Sequence, residues 1–210
     1  MKIGFIGIGN VGFALADNLS KAGHEVVVAA NDSTSESVKK ALSSNQQLRH
    51  MGLAEGTKWA EVVFLAVPFQ VVKELIPTLD LAGKVLVDCT NPVGPGMTHG
   101  LQNKQSGSEM IQSLAPESKV VKAFTIYGFE NFINSAYPAY TDTRPAMLIA
   151  GDDDAAKSIV SGLCDTLGWE PVDTGGIGQS LHLENMTLLW IKMARVQGQG
   201  ADFVWARLKR

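Results

Sequence analysis

Lys2-Ile3-Gly4-Phe5-Ile6-Gly7-Ile8-Gly9-Asn10-Val11-Gly12 opens the chain, and its reading decides the fold. Residues 2–7 are a short apolar run bounded by glycine, the pattern of a strand buried on both faces of a parallel sheet. Behind it Val11, Leu15, Leu19 and Ala22 recur at helical spacing, and Gly23 closes that helix as a C-terminal cap. Between strand and helix lies Gly7-x-Gly9-x-x-Gly12. Alone the pattern is weak, but here it stands in the context it requires, directly after a first strand and opening a first helix.

Each glycine then has a physical task. Gly7 lets the chain turn sharply out of the strand. Gly9, without a side chain, lets a pyrophosphate approach the backbone. Gly12 lets the helix pack close to the strand. The helix N-terminus offers unpaired N–H groups and a partial positive charge to the phosphates. The expectation is a dinucleotide site, and a nicotinamide cofactor in it.

Working outward, Glu25–Ala30 reads as the second strand, and Ser33, Thr34 and Ser35 offer N-caps for a helix to about Leu42. Residues 62–67 are a buried strand, with Pro68 suited to the first turn of a helix carrying Val71, Val72, Leu75 and Ile76. Residues 84–88 are the next strand, followed by a Gly- and Pro-rich loop to Gly100 and a polar, helix-like stretch to Ala115. Val120, Val121 and Ala123 begin another strand, and Ala146–Ala150 a further one. Asp152–Asp154 cap a helix through Leu167, and Trp169–Val172 is strand-like. Alternating strands and helices predict an α/β fold: a Rossmann-type, doubly wound, mostly parallel sheet with a small C-terminal helical part.

The expected division is a dinucleotide-binding domain over 1–174 and a C-terminal helical segment over 175–210, serving as dimer contact and substrate-side cover. From Leu181 onward, Met186, Leu189, Trp190 and Met193 lie at helical spacing, with Leu188 and Ile191 on another face. A helix apolar on more than one face is buried on more than one side. A homodimer is the expectation, with simple closure of the domain core as the alternative.

Composition excludes other classes. Lys and Arg number 18 against 21 Asp and Glu, a net charge of −3, with no basic stripe for nucleic acid. No apolar run approaches the roughly 20 residues that span a bilayer, and no secretory pattern precedes the first strand, so a cytoplasmic protein that binds neither nucleic acid nor membrane is expected. Cys89 and Cys164 form no CxxC pair or zinc pattern and read as reduced thiols. No metal site is expected.

On the residues alone the nicotinamide cofactor leans slightly to NAD, since no Arg occurs between Gly12 and Arg49. Asp32 lies near the end of the second strand, where an NAD site places a carboxylate for the ribose. It follows Asn31 and precedes Ser33-Thr34-Ser35, a loop able to hold a phosphate with help from Lys39, and it can equally serve only to cap the second helix. Two further segments lie where strands end and ligands bind. Ala66-Val67-Pro68-Phe69 can pack against the ribose or nicotinamide. In Asp88-Cys89-Thr90-Asn91-Pro92, Thr90 and Asn91 can orient the carboxamide. Both also fit ordinary β–α turns.

No catalytic constellation is legible. His24 follows a helix-ending glycine, His50 and His99 are isolated, and His182 near Glu184 reads as solvated or capping. Hydride transfer between two rings needs close stacking and exclusion of water rather than a protein acid or base.

Together, Gly4–Gly12, Val63–Pro68 (VFLAVP), Asp88–Pro92 (DCTNP), Val120–Phe124 (VVKAF), Gly151–Lys157 (GDDDAAK) and Leu189–Gly200 (LWIKMARVQGQG) resemble the NADPH-dependent deazaflavin-coenzyme reductases along nearly the whole chain. The resemblance implies hydride transfer between NADP(H) and 8-hydroxy-5-deazaflavin (coenzyme F-420) or a flavin, and a dimer. It implies cofactor contacts at Ile8, Gly9, Asn10 and Val11, in the loop after the second strand, and at Val67-Pro68 and Asn91-Pro92. The chain departs from the family in two places. Asn31-Asp32-Ser33-Thr34 replaces a loop that commonly carries arginine, and Thr125 replaces the asparagine that commonly follows Lys-Ala-Phe. The alternatives are a reductase of a keto or imine substrate, with Lys122, Thr125 and Tyr127 as candidate proton donors, and a non-enzymatic dinucleotide-binding module.

Overall fold

β1 (Lys2–Ile6), α1 (Asn10–Lys21) and β2 (Glu25–Ala29) form the opening unit of the computed structural model, which describes residues 1–210. The chain continues through α2 (Glu36–Ser44), β3 (Arg49–Met51), α3 (Leu53–Trp59), β4 (Val62–Leu65), α4 (Val72–Leu75), β5 (Val85–Asp88), β6 (Val93–Gly94), β7 (Thr98–His99) and α5 (Gly107–Leu114). β8 (Lys119–Lys122), α6 (Phe129–Ile133), β9 (Ala146–Gly151), α7 (Asp154–Thr166), β10 (Glu170–Asp173) and α8 (Ser180–Ile191) complete it.

The main sheet runs β10-β9-β8-β5-β4-β1-β2-β3. Side chains alternate across it, as the strand period of two requires. Ile3, Phe5, Val62 and Phe64 enter one core, while Ile6, Val63, Leu65 and Leu86 enter the other. Phe5 stacks on Phe64 with ring centroids 4.6 Å apart. From β1 the chain first winds outward to β2 and β3, then returns to β4 on the other side. The carboxyl ends of β1 and β4 therefore flank a topological switch point, where open sheets of this kind leave a crevice.

β9 pairs antiparallel with β8, through Val121↔Gly151 and Lys122↔Ala150, and β10 follows β9 in parallel. A parallel return needs a substantial crossover, usually a helix. Between β8 and β9 the helix is only Phe129–Ile133, held against α1 by Asn18 Nδ2, which donates to the Phe132 carbonyl at 2.8 Å. The parallel sheet is thus extended by two reversed strands.

Several elements differ from their sequence reading. β3, α3, the β6–β7 hairpin and α6 are too short to show a period. The polar stretch to Ala115 is helical only over Gly107–Leu114, where Ser106 and Glu109 cap it reciprocally. The segment after Pro68 forms a 3₁₀ turn, Phe69–Val71, before the four-residue α4. The C-terminal part is helical through α8 and a wider π-type turn, Lys192–Val196, after which residues 197–210 run without helix. That tail packs back on the domain. Phe203 stacks on Trp190 at 5.4 Å, and the Ala146 N–H donates to the Trp205 carbonyl at 2.8 Å.

Candidate functional site

The turn from β1 into α1 is shaped by its glycines. Gly7 has φ +92°, and a Cβ there would lie 2.4 Å from the Ala66 carbonyl oxygen. A Cβ on Gly12 would lie 2.2 Å from the Gly7 oxygen. Both positions exclude any side chain because the protein's own backbone fills the space. Gly9 differs: nothing lies within 4 Å of its Cβ position. The space that a side chain would take there is open to a ligand. The first bond of α1 runs from Phe13 N–H to the Gly9 carbonyl at 2.8 Å, and its first turn carries no acidic residue. The amides ahead of that bond have no acceptor within the helix, which suits a pyrophosphate.

Two cavities meet at Gly9 and Asn10. One, of about 430 Å³, lies between the turn and α2, with Ile8, Phe13, Ser37 and Lys40 on its walls. The other, of about 480 Å³, extends over the ends of β4 and β5. It gathers Val11, Ala66, Val67, Pro68, Phe69, Thr90 and Asn91, singled out from sequence, with Gln70, Cys89, Val93 and Phe129. None of its lining side chains is ordinarily charged. Burial pushes the Cys89 thiol well above its usual range, with the Asp88 carboxylate adding to the effect. An open groove beyond α2 brings together Thr34, Glu36, Lys39, Lys40 and Ser43. The three spaces form a path from the loop after β2, past the glycine turn, to the end of β5.

The remaining predicted residues lie around this path. Gly7 and Gly12 shape its floor without lining it, and Pro92 is buried behind Asn91. Asn31, Asp32 and Ser33 are exposed beside it. Asp32 is occupied within its own loop. Its Oδ1 accepts from the Thr34 hydroxyl at 2.7 Å and the Thr34 N–H at 2.8 Å, which holds its carboxyl below the usual range. The residue entering α2 as its cap is Ser35, not Asp32. Lys40 and Ser37 escaped the sequence reading. Their signal was their i, i+3 spacing on the α2 face that also presents Ala41 to the cavity.

Behind the second cavity lies a charged cluster that no local pattern announced. Asp88 and Lys122 are register partners at the ends of β5 and β8, and Lys122 Nζ stands 3.0 Å from Asp88 Oδ2. The same ammonium is 3.2 Å from Glu184 Oε1 on α8 and donates to the Thr90 carbonyl. Asp88 Oδ1 accepts from the N–H and the hydroxyl of Thr90, and Oδ2 from the Ser108 hydroxyl. Glu184 accepts from Gly107 N–H at 2.9 Å and meets His99 Nε2 at 2.8 Å. The His99 Nδ1 accepts from the Leu101 and Asn103 amides, so the ring carries a proton on Nε2. It is His99, not His182, that meets Glu184; His182 is exposed. Burial by itself would lower the Lys122 ammonium, but Asp88 and Glu184 outweigh it and raise it above the ordinary lysine value.

Of the three candidate proton donors, Lys122 is sealed in this cluster with no exposure. The Tyr127 hydroxyl donates to the Ala146 carbonyl at 2.6 Å, and burial pushes its phenol up. Neither lines the cavity, while Thr125 touches it only through Asn91. No group of three or more His, Cys, Asp or Glu side chains is arranged to hold a metal ion. No helix is long and apolar enough to cross a membrane.

Residues 2–92, which contain the glycine turn, both flanking cavities' main walls and the β5 end, match the family model described as NADP oxidoreductase coenzyme F420-dependent. Over these residues the chain is similar to the dinucleotide-binding oxidoreductases that its motifs resemble. A crystal structure from Arthrobacter sp. FB24, described as a candidate F420-dependent NADP reductase, superposes over 100% of both chains with TM-score 0.86 and 26% identity. Among curated proteins, the chain is 32% identical over 189 residues to Metalloreductase STEAP3 of Rattus norvegicus, covering 89% of this chain and 36% of that protein. It is 39% identical over 74 residues to the ketol-acid reductoisomerase (NADP(+)) of Leifsonia xyli, covering 35% of this chain and 21% of that one. The chain thus spans about a third or less of the curated relatives' lengths.

Proposed function

We propose that this protein transfers a hydride between NADP(H) and a deazaflavin coenzyme or a flavin. The observation that carries the reading is the chemistry of the second cavity. It is large, it adjoins the glycine turn, and its lining offers apolar surface and neutral amides and hydroxyls but no ordinarily charged acid or base. Reduction of a ketone or imine calls for a proton donor beside the nicotinamide. Transfer between two rings calls for stacking surfaces and dryness. Val67, Pro68, Phe69 and Phe129 supply such surfaces.

The dinucleotide fits the path described. Gly9 and the start of α1 receive the pyrophosphate. Lys39 and Lys40, with Thr34 and Ser37, take the 2′-phosphate in place of the arginine common in the family. Asp32, engaged with Thr34, is not disposed as a ribose ligand, which favours NADP(H) over NAD(H). When bound, the nicotinamide supplies the hydride donor or acceptor carbon. The chain's own part is to hold the dinucleotide extended and to keep water from the ring.

Steady-state assays with NADPH and the deazaflavin coenzyme, FMN or FAD test the reading. Turnover with the deazaflavin coenzyme or a flavin is expected, and no turnover with any of the three overturns it. Binding without turnover toward any acceptor would favour the non-enzymatic module.

We also infer a cytoplasmic homodimer that acts on small molecules rather than on nucleic acid or membranes. Leu189 and Val196, seven residues apart on the outer side of the C-terminal helix, are 50% and 67% exposed. They are the surface that would join two copies. Cys89 and Cys164, both unpaired and buried, fit a reducing compartment. A monomer mass at micromolar concentration would overturn the dimer.

A further inference from the structure

Thr125 sits on an unusual stretch of backbone. Phe124 before it and Ile126 after it have φ of +50° and +64°, left-handed values at two residues that are not glycine. For a β-branched isoleucine this is an outlier, and such strain persists only where the surroundings hold it. Here both neighbours are locked in the core, Phe124 at 1% and Ile126 at 0% exposure. The double kink aims the Thr125 hydroxyl across the end of the sheet, where three elements meet. It donates to Asn91 Oδ1 beyond β5 at 2.8 Å and stands 2.8 Å from Thr187 Oγ1 on α8. Thr187 is itself held by the Ile126 N–H at 3.0 Å.

The Asn91 end of this network has one assignment of donor and acceptor. Thr125 spends its single proton on Asn91, and Thr187, whose own single proton is shared between the Thr125 oxygen at 2.8 Å and the Leu183 carbonyl at 3.1 Å, holds the Thr125 hydroxyl from its other side. With Oδ1 tied down, the amide of Asn91 has its Nδ2 free of any protein partner, on a residue that lines the nicotinamide-side cavity. Thr125 and Thr187 are buried and do not line that cavity. They reach a ligand only through Asn91.

We propose that Thr125, supported by Thr187, is a positioning residue: it fixes the Asn91 amide so that its NH₂ group meets the carbonyl oxygen of the nicotinamide carboxamide. This rests on the NADP(H) reading above. It adds how the ring is held in one rotational setting, with one face toward the second reactant.

The test is equilibrium titration of three nucleotides against wild type, Thr125→Val and Thr125→Ser. NADP⁺ carries the whole carboxamide. Its 3-acetylpyridine analogue keeps the carbonyl and lacks the NH₂. 2′-Phospho-ADP-ribose lacks the ring. Wild type binds the first two with similar affinity. Thr125→Val weakens both about tenfold, the worth of one hydrogen bond, and leaves 2′-phospho-ADP-ribose unchanged. Thr125→Ser, which keeps the hydroxyl, stays within about twofold of wild type. Equal affinities in wild type and Thr125→Val, or an equal loss for all three nucleotides, overturns the proposal. Wild type that discriminates strongly against the acetyl analogue also overturns it, because Asn91 would then present its oxygen to the NH₂. A wild type that binds none of the three overturns the cofactor reading itself. If Thr125→Val fails to fold, Asn91→Asp replaces the NH₂ with an acceptor and carries the same prediction of ring-selective loss.

Discussion

His99 and Glu184, 85 residues apart in the chain, meet in the interior with Nε2 2.8 Å from Oε2. Through Glu184 this contact joins the β6–β7 hairpin, the start of α5, and Lys122 at the end of β8. Lys122 is the only cation paired with both Asp88 and Glu184. Removing one partner of a buried charge cluster leaves the others desolvated and unpaired. Lys122→Met is expected to lower unfolding stability by about 3–5 kcal/mol, read by urea denaturation at neutral pH. A change below about 1 kcal/mol would mean that water reaches the two carboxylates.

The same lysine sets a pH dependence. Asp88 and Glu184 raise its folded value above the ordinary 10.5, against the lowering effect of burial. A raised value contributes stability that is fully present below the unfolded pKa and is lost as pH rises through the folded one. The stability gap between wild type and Lys122→Met is therefore expected to stay level from pH 7 to about pH 10 and to narrow above it. Urea melts across that range check it; a gap that narrows near neutrality would contradict the raised value.

Two glycines of the turn separate folding from binding. Gly7→Ala forces a side chain into left-handed backbone at φ +92° and against the Ala66 carbonyl at 2.4 Å. It is expected to destabilise by at least about 1–3 kcal/mol. Gly9→Ala meets nothing within 4 Å, so its melting temperature should stay within a few degrees of wild type. The stabilisation that NADPH confers on wild type should then be largely absent from Gly9→Ala. Thermal melts with and without NADPH distinguish the two, and an unaltered NADPH response in Gly9→Ala would remove the pyrophosphate from this turn.

Lys40 faces both the cavity at the turn and the groove by Thr34. Lys40→Ala is expected to weaken NADPH about tenfold, the worth of one charge-assisted hydrogen bond. NADH, without the 2′-phosphate, should be unaffected. Fluorescence titration of both nucleotides reads the difference, and an equal loss for both would place Lys40 elsewhere on the dinucleotide.

Legibility followed the range of the forces involved. Gly7, Gly9 and Gly12 act within one turn of chain, and the strands beside them announce themselves by unbroken apolar runs. The turn and its nucleotide chemistry could therefore be read directly. Val67, Pro68 and Asn91 followed from the rule that ligands gather at strand ends. Lys40 was missed because its role depends on which side of α2 faces the turn. The hairpin at Val93–His99 and helix α6 were missed because they are too short to carry a period.

By itself the sequence determined the strand–glycine–helix unit, the alternating α/β pattern and the motifs that carry the family resemblance, since these depend on neighbours a few residues apart. Tertiary structure alone decided that β9 enters reversed, that residues 197–210 fold back as an unhelical tail, and that His99 rather than His182 finds Glu184. It alone brought Thr125 from the end of β8 to Asn91 and Thr187. Those outcomes rest on buried polar groups that must find partners wherever packing places them, and separation along the chain carries no record of which partner that will be.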